Sequence, residues 1–445
     1  MIPSPSFQEL FNDDEFIGLD TSVGNMAEPS NIYFAPSRHT RFPRIEIHLV
    51  DLLFQVLQTP EKRKRLQSLK GQEALSISGF LHWVLLQASS LVPGKLHKHA
   101  LIAQYRLCRT AALFPECYFF RDALPALDEP IAEGGFSDIF KVHHREKALC
   151  LKAVRVYGLS SADNVLKSIA KEAILWSYLR HPNIVPFWGI YYPKGTSGRR
   201  RRICLVSPWM ENGNLVYFLR ENPDASPAPF IHDVAKGLAY LHDKRIIHGD
   251  LKGVNVLIND AGEACLTDFG LSSVRVETTI AYTNGVMSEA QGCTYRWLAP
   301  ELSESMLGAS RRTEASDVWA FGLVCYEIVT RKLPYHELNE CQVLREVISG
   351  RLPTQPQQSS SDDSALTMIF EQTWELIKVC LEQKPDRRPK SRWIVEKLEK
   401  QGLVRCRQKG KPRSSTFPII HDSQINWAQV ESILSGLTGM HTGSI

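Results

Sequence analysis

Paired cysteines are the first thing missing from this sequence. Ten cysteines occur, but no CxxC pair, and the closest two, Cys108 and Cys117, stand nine residues apart. That scatter argues against a zinc site or a disulfide scaffold and for reduced, mostly buried thiols. Long apolar runs are missing too. No stretch approaches the roughly 18 uninterrupted apolar residues of a membrane span, and the opening MIPSPSFQELFNDDEF has neither the basic start nor the apolar run of a signal peptide. Nor does one sign of charge dominate. Lys and Arg total 52 against 48 Asp and Glu, and a net charge of +4 does not by itself imply nucleic-acid binding. No internal repeat at solenoid periods appears. The expectation is a cytoplasmic protein, with the nucleus as the second choice, and no membrane span.

What remains is ordinary globular composition, 43% hydrophobic and 22% charged, in a chain of 445 residues that is long enough for two or three compact units. Residues 1–46 are polar and proline-bearing and are expected to be mobile. Residues 47–124 carry helical spacing, in IHLVDLLFQVL and FLHWVLLQASSLV, and end in PECYFF. Then the period changes. IAEGGFSDIFKV, KALCLKAVRVY and RRICLVSPWM alternate or run apolar like strands, with one helical stretch from Asn164 to Leu179. After Asn214 helices dominate to about residue 401. The segment 402–445 is basic, then proline- and serine-bearing, and reads as a flexible tail. A small strand-rich part followed by a larger helical part implies a cleft between them, a common place for a ligand.

Short motifs follow one another across that region. A glycine pair lies in IAEGGFSDI, from Ile131 to Ile139, with Gly134 and Gly135 at its centre. LCLK ends in Lys152, thirteen residues past Ile139. Glu172 lies in AKEAILW, nine residues before HPNI, and LVSPWMENGN looks like a buried strand breaking into a polar turn. Then come HGDLKGVNVL, TDFG, GCTYRWLAPEL, SDVWAFG and KPDRRP. Each motif is short enough to arise by chance; their order is not.

Over residues 125–401 this succession resembles the protein kinase superfamily, with an α+β, bilobal fold of a small strand-rich lobe and a large helical lobe. The spacing of EAILW, HPNI and RWLAPEL is most similar to serine/threonine kinases of the tyrosine-kinase-like group, and the whole arrangement resembles those expanded in mushroom-forming fungi. The resemblance implies ATP as phosphoryl donor, Mg²⁺ as cofactor, and protein substrates in intracellular signalling. It also implies roles. Gly134 and Gly135 would let backbone N–H groups approach the phosphates, although Ala132 and Ser137 stand where two further glycines are usual. Lys152 would grip the phosphates, steadied by Glu172. Backbone groups near Pro208 and Met210 would bond the adenine edge behind a Ser207 gatekeeper. Ile131, Ile139, Cys150 and Leu257 would line the ring's pocket. Asp250 would be the catalytic base and Lys252 would steady the transferring phosphate. Asn255 and Asp268 would hold the metal. Glu301 would pair with Arg388, and Asp317 would brace the catalytic loop.

One position departs from the pattern. Gly249 precedes Asp250 where many of these kinases carry an arginine that binds a phosphate on the activation loop. The chemistry needs Lys152, Asp250, Lys252, Asn255 and Asp268, all present, so the departure bears on the switch and not on the reaction. The loop offers Ser272, Ser273, Thr278, Thr279, Thr283 and Ser288. HGD followed by a later asparagine also resembles small-molecule phosphotransferases, and a pseudokinase scaffold is a third reading. Intact DFG, APE and DVWAFG segments weigh against the second. Thr294 and Lys252 point to serine or threonine as acceptor. Helices in 47–124 would bind a regulator or pack on the small lobe. The Arg199–Arg202 run reads as a solvated loop, and EKRKR and QKGKPR match nuclear import signals.

Overall fold

A computed structural model describes residues 44–86, 94–111, 113–120, 122–125, 127, 129–133, 137–154, 162–193, 203–274, 295–303, 311–355, 364–402 and 425–439. They divide into two compact units. In the first unit, α1 (Arg44–Gln58), α2 (Pro60–Gln67), α3 (Gly71–Leu86) and α4 (Gly94–Ala111) follow the predicted helical spacing. On α1, Leu49, Leu52, Leu53, Val56 and Leu57 form one buried apolar stripe at i, i+3, i+4, i+7 and i+8, with Val50 buried beside it. Pro60 opens α2 at a first-turn position, where its missing N–H is not needed.

The second unit starts at Tyr118, ahead of the predicted boundary at 125. Tyr118 is buried and its hydroxyl accepts from Ser177 Oγ at 2.7 Å. Phe119 pairs with Ile190 as an extra edge contact, so PECYFF enters this unit's sheet before the glycine motif begins. Strands β1 (Ala132–Glu133), β2 (Ser137–His144), β3 (Lys147–Val154), β4 (Gly189–Tyr191) and β5 (Ile203–Pro208) form an antiparallel sheet in the order β1-β2-β3-β5-β4. Their alternation sorts the faces. Phe140, Val142, Leu149, Leu151, Ala153, Cys204 and Val206 fill one core. The residues between them on β2 and β3, Ile139, Cys150 and Lys152, are half-buried on the opposite face. Helix α5 (Ala162–Tyr178) lies in the predicted helical stretch between β3 and β5.

The helical part continues with α6 (Leu215–Glu221), α7 (Pro227–Asp243), β6 (Ile246–Ile247), β7 (Val256–Ile258), β8 (Ala264–Leu266) and β9 (Ser273–Val274). After these come α8 (Pro300–Ser303), α9 (Glu314–Thr330), α10 (Glu340–Ile348), α11 (Ser364–Cys380) and α12 (Ser391–Lys400). Helix α9 is buried on nearly every side, from Ser316 to Ile328, and packs on α7 and α11. The catalytic-loop motif runs between β6 and β7, directly over it. This is the predicted small strand-rich lobe and large helical lobe.

Within the predicted flexible tail 402–445, the described residues 425–439 depart from that expectation, while 403–424 and 440–445 lie outside the described residues. α13 (Trp427–Thr438) packs on α1, α2 and α3 of the first unit. Val430 and Leu434, one turn apart, are fully buried, and Trp427 meets the Trp83 and Phe80 rings edge-on, with centroids at 5.2 and 6.1 Å. The cause is a short amphipathic stripe that needs a distant surface to cover it. Among the described residues no helix is long and apolar enough to cross a membrane. The predicted mobile N-terminus lies outside the described residues up to 43, and α1 starts at Arg44.

Candidate functional site

Lys152 sits mid-strand in β3, where the period of two points it away from the sheet's core. Its Nζ donates to Glu172 Oε1 at 2.8 Å and to Asp268 Oδ1 at 2.9 Å, joining β3, α5 and the DFG segment. Burial works against its charge, but the two carboxylates outweigh it and hold the Lys152 pKa above the ordinary lysine value. Burial likewise pushes Asp268 up, yet Lys152, and after it His248 and Lys252, hold it below the usual carboxylate range. Both groups are therefore charged at neutral pH. Asp268 adopts a left-handed backbone (φ 65°), an uncommon state for a residue with a side chain.

The second cluster is the catalytic loop. Asp250 Oδ2 accepts from Lys252 Nζ at 2.9 Å and from Asn255 Nδ2 at 3.0 Å, and the same Nδ2 reaches the Asp250 carbonyl at 2.8 Å. Turning Nδ2 toward Asp250 aims the amide oxygen of Asn255 away, as an acceptor for a hard cation. From below, Asp317 Oδ2 accepts the His248 N–H and Oδ1 the Gly249 N–H, each at 2.8 Å. His242 Nε2 lies 3.0 Å from Asp317 Oδ2, and its Nδ1 lies 2.9 Å from Ser391 Oγ, so α7, α9 and α12 converge under the loop. His248 Nε2 lies 3.0 Å from the Thr267 carbonyl, and its Nδ1 lies 3.3 Å from the Asp250 N–H. The two contacts agree with one tautomer, protonated at Nε2. Gly249 has φ +80°, the left-handed region where glycine alone is unstrained.

Glu327 was not anticipated from the sequence. It is buried in α9, and its Oε2 accepts from the Gly253 N–H and from Trp297 Nε1, both at 2.9 Å. Burial pushes its pKa up to about 8, against the lowering effect of those two bonds and of Lys252. Its only sequence signal is a lone carboxylate inside the apolar run of α9.

The predicted pocket residues are placed as follows. Ile139 and Lys152 are cross-strand partners, as are Cys150 and Ser207, so these four surround one stretch of the sheet. Ile131 is 58% exposed, and its N–H donates to the Ile139 carbonyl at 2.8 Å. Pro208 ends β5 opposite Leu149. Met210 and Leu257 come together through Gly213, whose N–H donates to the Met210 carbonyl and whose carbonyl accepts from Ile258 N, next to Leu257. Gly134, Gly135, Thr294, Thr278, Thr279, Thr283, Ser288 and the Arg199–Arg202 run lie outside the described residues. Ser272 departs from its reading as an available loop hydroxyl. It is fully buried and its Oγ donates to the His248 carbonyl at 2.9 Å. Glu301 and Arg388 form the expected pair, with two parallel bonds of 2.7 and 2.8 Å, and the guanidinium lies 5.0 Å from the Trp319 ring. Among the described residues no three His, Cys, Asp or Glu side chains gather as a metal cage. One carboxylate and one amide fit a cation that completes its shell with phosphate oxygens, as Mg²⁺ does.

A two-lobed fold with a lysine–glutamate pair in the small lobe, and an aspartate–asparagine loop braced from a buried helix in the large one, defines a protein kinase domain. The chain belongs to the protein tyrosine and serine/threonine kinase family, whose model matches residues 126–398. It is 29% identical to the serine/threonine-protein kinase STY46 of Arabidopsis thaliana over 60% of this chain and 43% of that protein. It is 30% identical to the serine/threonine/tyrosine-protein kinase HT1 of the same plant over 64% of this chain and 67% of that protein. With human mitogen-activated protein kinase kinase kinase 10 the identity is 30% over 61% of this chain and 27% of that protein. The chain thus spans under half the length of the first and about a quarter of the last.

Proposed function

We propose that the protein transfers the γ-phosphate of ATP to serine or threonine hydroxyls of protein substrates in intracellular signalling. The observation that supports this reading is the arrangement of six side chains, with Lys152 bonded to Glu172 and Asp268 and with Asp250 bonded to Lys252 and Asn255. Lys152, fixed by Glu172, positions the ATP phosphates. Ile139, Cys150 and Leu257 would line the adenine pocket with Ile131 at its rim; Gly134 and Gly135, outside the described residues, keep the phosphate-loop role that the family resemblance implies. Backbone groups around Pro208 and Met210 bond the base edge. Asn255 and Asp268 would hold Mg²⁺, which when bound neutralises charge on the phosphates.

Asp250 then acts as base. Lys252 and Asn255 both bond Oδ2, and among the described residues no hydrogen bond occupies Oδ1, which is left to take the proton of the acceptor hydroxyl. Lys252 sits where it meets the charge of the transferring phosphoryl group. The name of the STY46 relative, a serine/threonine-protein kinase, supports serine or threonine as acceptor. Buried, unbridged thiols such as Cys108 and Cys380 support a reducing compartment, the cytoplasm or nucleus.

The test is phosphate transfer from Mg-ATP to a generic basic protein, wild type beside Asp250→Asn, after phosphatase treatment of both. Loss of a general base lowers turnover by about 10²- to 10⁴-fold. A mutant as active as the wild type would refute the assignment.

A further inference from the structure

Past Ile139 and Lys152, the same face of the small-lobe sheet carries a further lysine. Side chains repeat every second residue along a strand, so Lys141 shares the face of Ile139, Cys150 and Lys152. It pairs across the strands with Cys150, and Cys150 with Ser207, one row beyond Ile139, Lys152 and Leu205. Lys152 marks the phosphate end of the nucleotide site, which places Lys141 at the opposite, outer end. Lys141 belongs to β2 and Glu211 follows β5, with β3 between those strands. Even so, Lys141 Nζ donates to Glu211 Oε2 at 2.8 Å, and the lysine side chain is only 24% exposed. Its methylene stem therefore crosses β3 on the pocket face.

Two further contacts fix this crossing. Trp209 Nε1 donates to the same Glu211 Oε2 at 3.2 Å, and the Lys141 ammonium lies 5.1 Å from the Trp209 ring centroid. Trp209 is itself anchored to β3, its N–H donating to the Ala148 carbonyl at 3.0 Å. The hydrogen bond from Lys141 holds the Glu211 carboxyl below the usual carboxylate range, so it is ionised at neutral pH. An exposed ion pair contributes little to stability. Position gives this one a use: Met210, whose backbone is expected to bond the base edge, lies between Trp209 and Glu211.

We propose that Lys141, Trp209 and Glu211 form a clasp that walls the outer end of the base pocket and positions the Met210 backbone for a purine nucleotide. The lysine stem is the apolar wall, and Glu211 and Trp209 keep it across the opening. The reacting atoms lie at the other end, by Lys152 and Asp250, so the clasp acts on nucleotide binding and not on phosphoryl transfer. All three are positioning residues. The ligand class rests on the kinase reading.

The full chain is titrated calorimetrically with Mg-ADP, the wild type beside Lys141→Met, Lys141→Ala and Glu211→Gln, each checked by its melting curve. Lys141→Met keeps a stem but loses the pair, and weakens binding about threefold, the scale of an exposed ion pair. Glu211→Gln does the same. Lys141→Ala removes the wall as well and weakens binding about tenfold, the scale of two buried methylenes. In phosphate-transfer assays the same factors appear in KM for ATP and not in kcat. A chain with both Lys141→Glu and Glu211→Lys binds Mg-ADP more tightly than either single reversal; additive losses would overturn the clasp.

A pair that merely stabilised the fold would lower the melting temperature of these variants and leave their Mg-ADP affinity alone. If Lys141→Ala fails to melt cooperatively, Glu211→Gln decides, because that side chain is 56% exposed. Variants that bind like the wild type overturn the clasp while the kinase reading stands. A wild type that binds no Mg-ADP overturns both.

Discussion

Gly249 and Glu327 show how single residues set the catalytic loop. At Gly249 the backbone has φ +80°, and Asp317 bonds its N–H, so the conformation is held from below. A Cβ there costs about 1–2 kcal/mol. Gly249→Ala is expected to lower urea stability by about that much, and unchanged stability would show that the loop adopts another conformation. Glu327 gives a pH signature. Its carboxyl rises from an ordinary 4.5 to about 8 through burial, so the unfolded chain releases this proton near 4.5 while the folded chain keeps it up to about 8. Over that window the unfolded state binds fewer protons, and this residue's contribution to stability is lost as pH rises. Glu327→Gln has no such slope. Its melting temperature should gain on the wild type steadily from pH 5 to pH 8.5, and parallel curves would sink the argument. The motif residues were legible in the sequence because their chemistry fixes their type and order. Glu327 was not, because its partner Gly253 is a backbone group 74 residues away.

Helix α9 carries the next scale. Thr313 and Ser316 close its N-terminus reciprocally, with the Ser316 N–H on Thr313 Oγ1 at 3.1 Å and the Thr313 N–H on Ser316 Oγ at 2.8 Å. The residue after that box is Asp317, so the cap fixes the turn that braces the loop. Thr313→Ala is expected to cost about 1 kcal/mol of stability. It should also lower kcat more than the KM for ATP, because it loosens the loop under Asp250 and leaves Lys152 alone. A change confined to KM would place the effect elsewhere. Strand period made β2 and β3 readable, since one face is core and the other is half-buried. The three-residue β4 was missed as a strand. It is buried throughout and shows no alternation, and pairing with β5 defines it more than its own residues do.

Across the whole molecule, the helical unit is built from both ends of the chain, with the kinase unit's sequence between them. Helical spacing made α1–α4 legible locally, but nothing local told that a 12-residue stripe after a polar stretch would return to them. Helices that short are marginal alone, so α13 exists through packing. Its contacts are specific. Lys62 Nζ donates to the Thr438 carbonyl at 3.2 Å and Ser76 Oγ to Gln429 Oε1 at 2.9 Å, while Leu434 is fully buried. Leu434→Ala removes a core side chain and should cost about 2–5 kcal/mol. Because that loss falls on the helical unit, hydrogen exchange is expected to quicken in α1, α2, α3 and α13 and to stay unchanged in β2, β3 and β5. Equal quickening in the sheet would mean that the two units unfold as one, whereas protection retained in α1–α3 would show that α13 adds nothing to their stability.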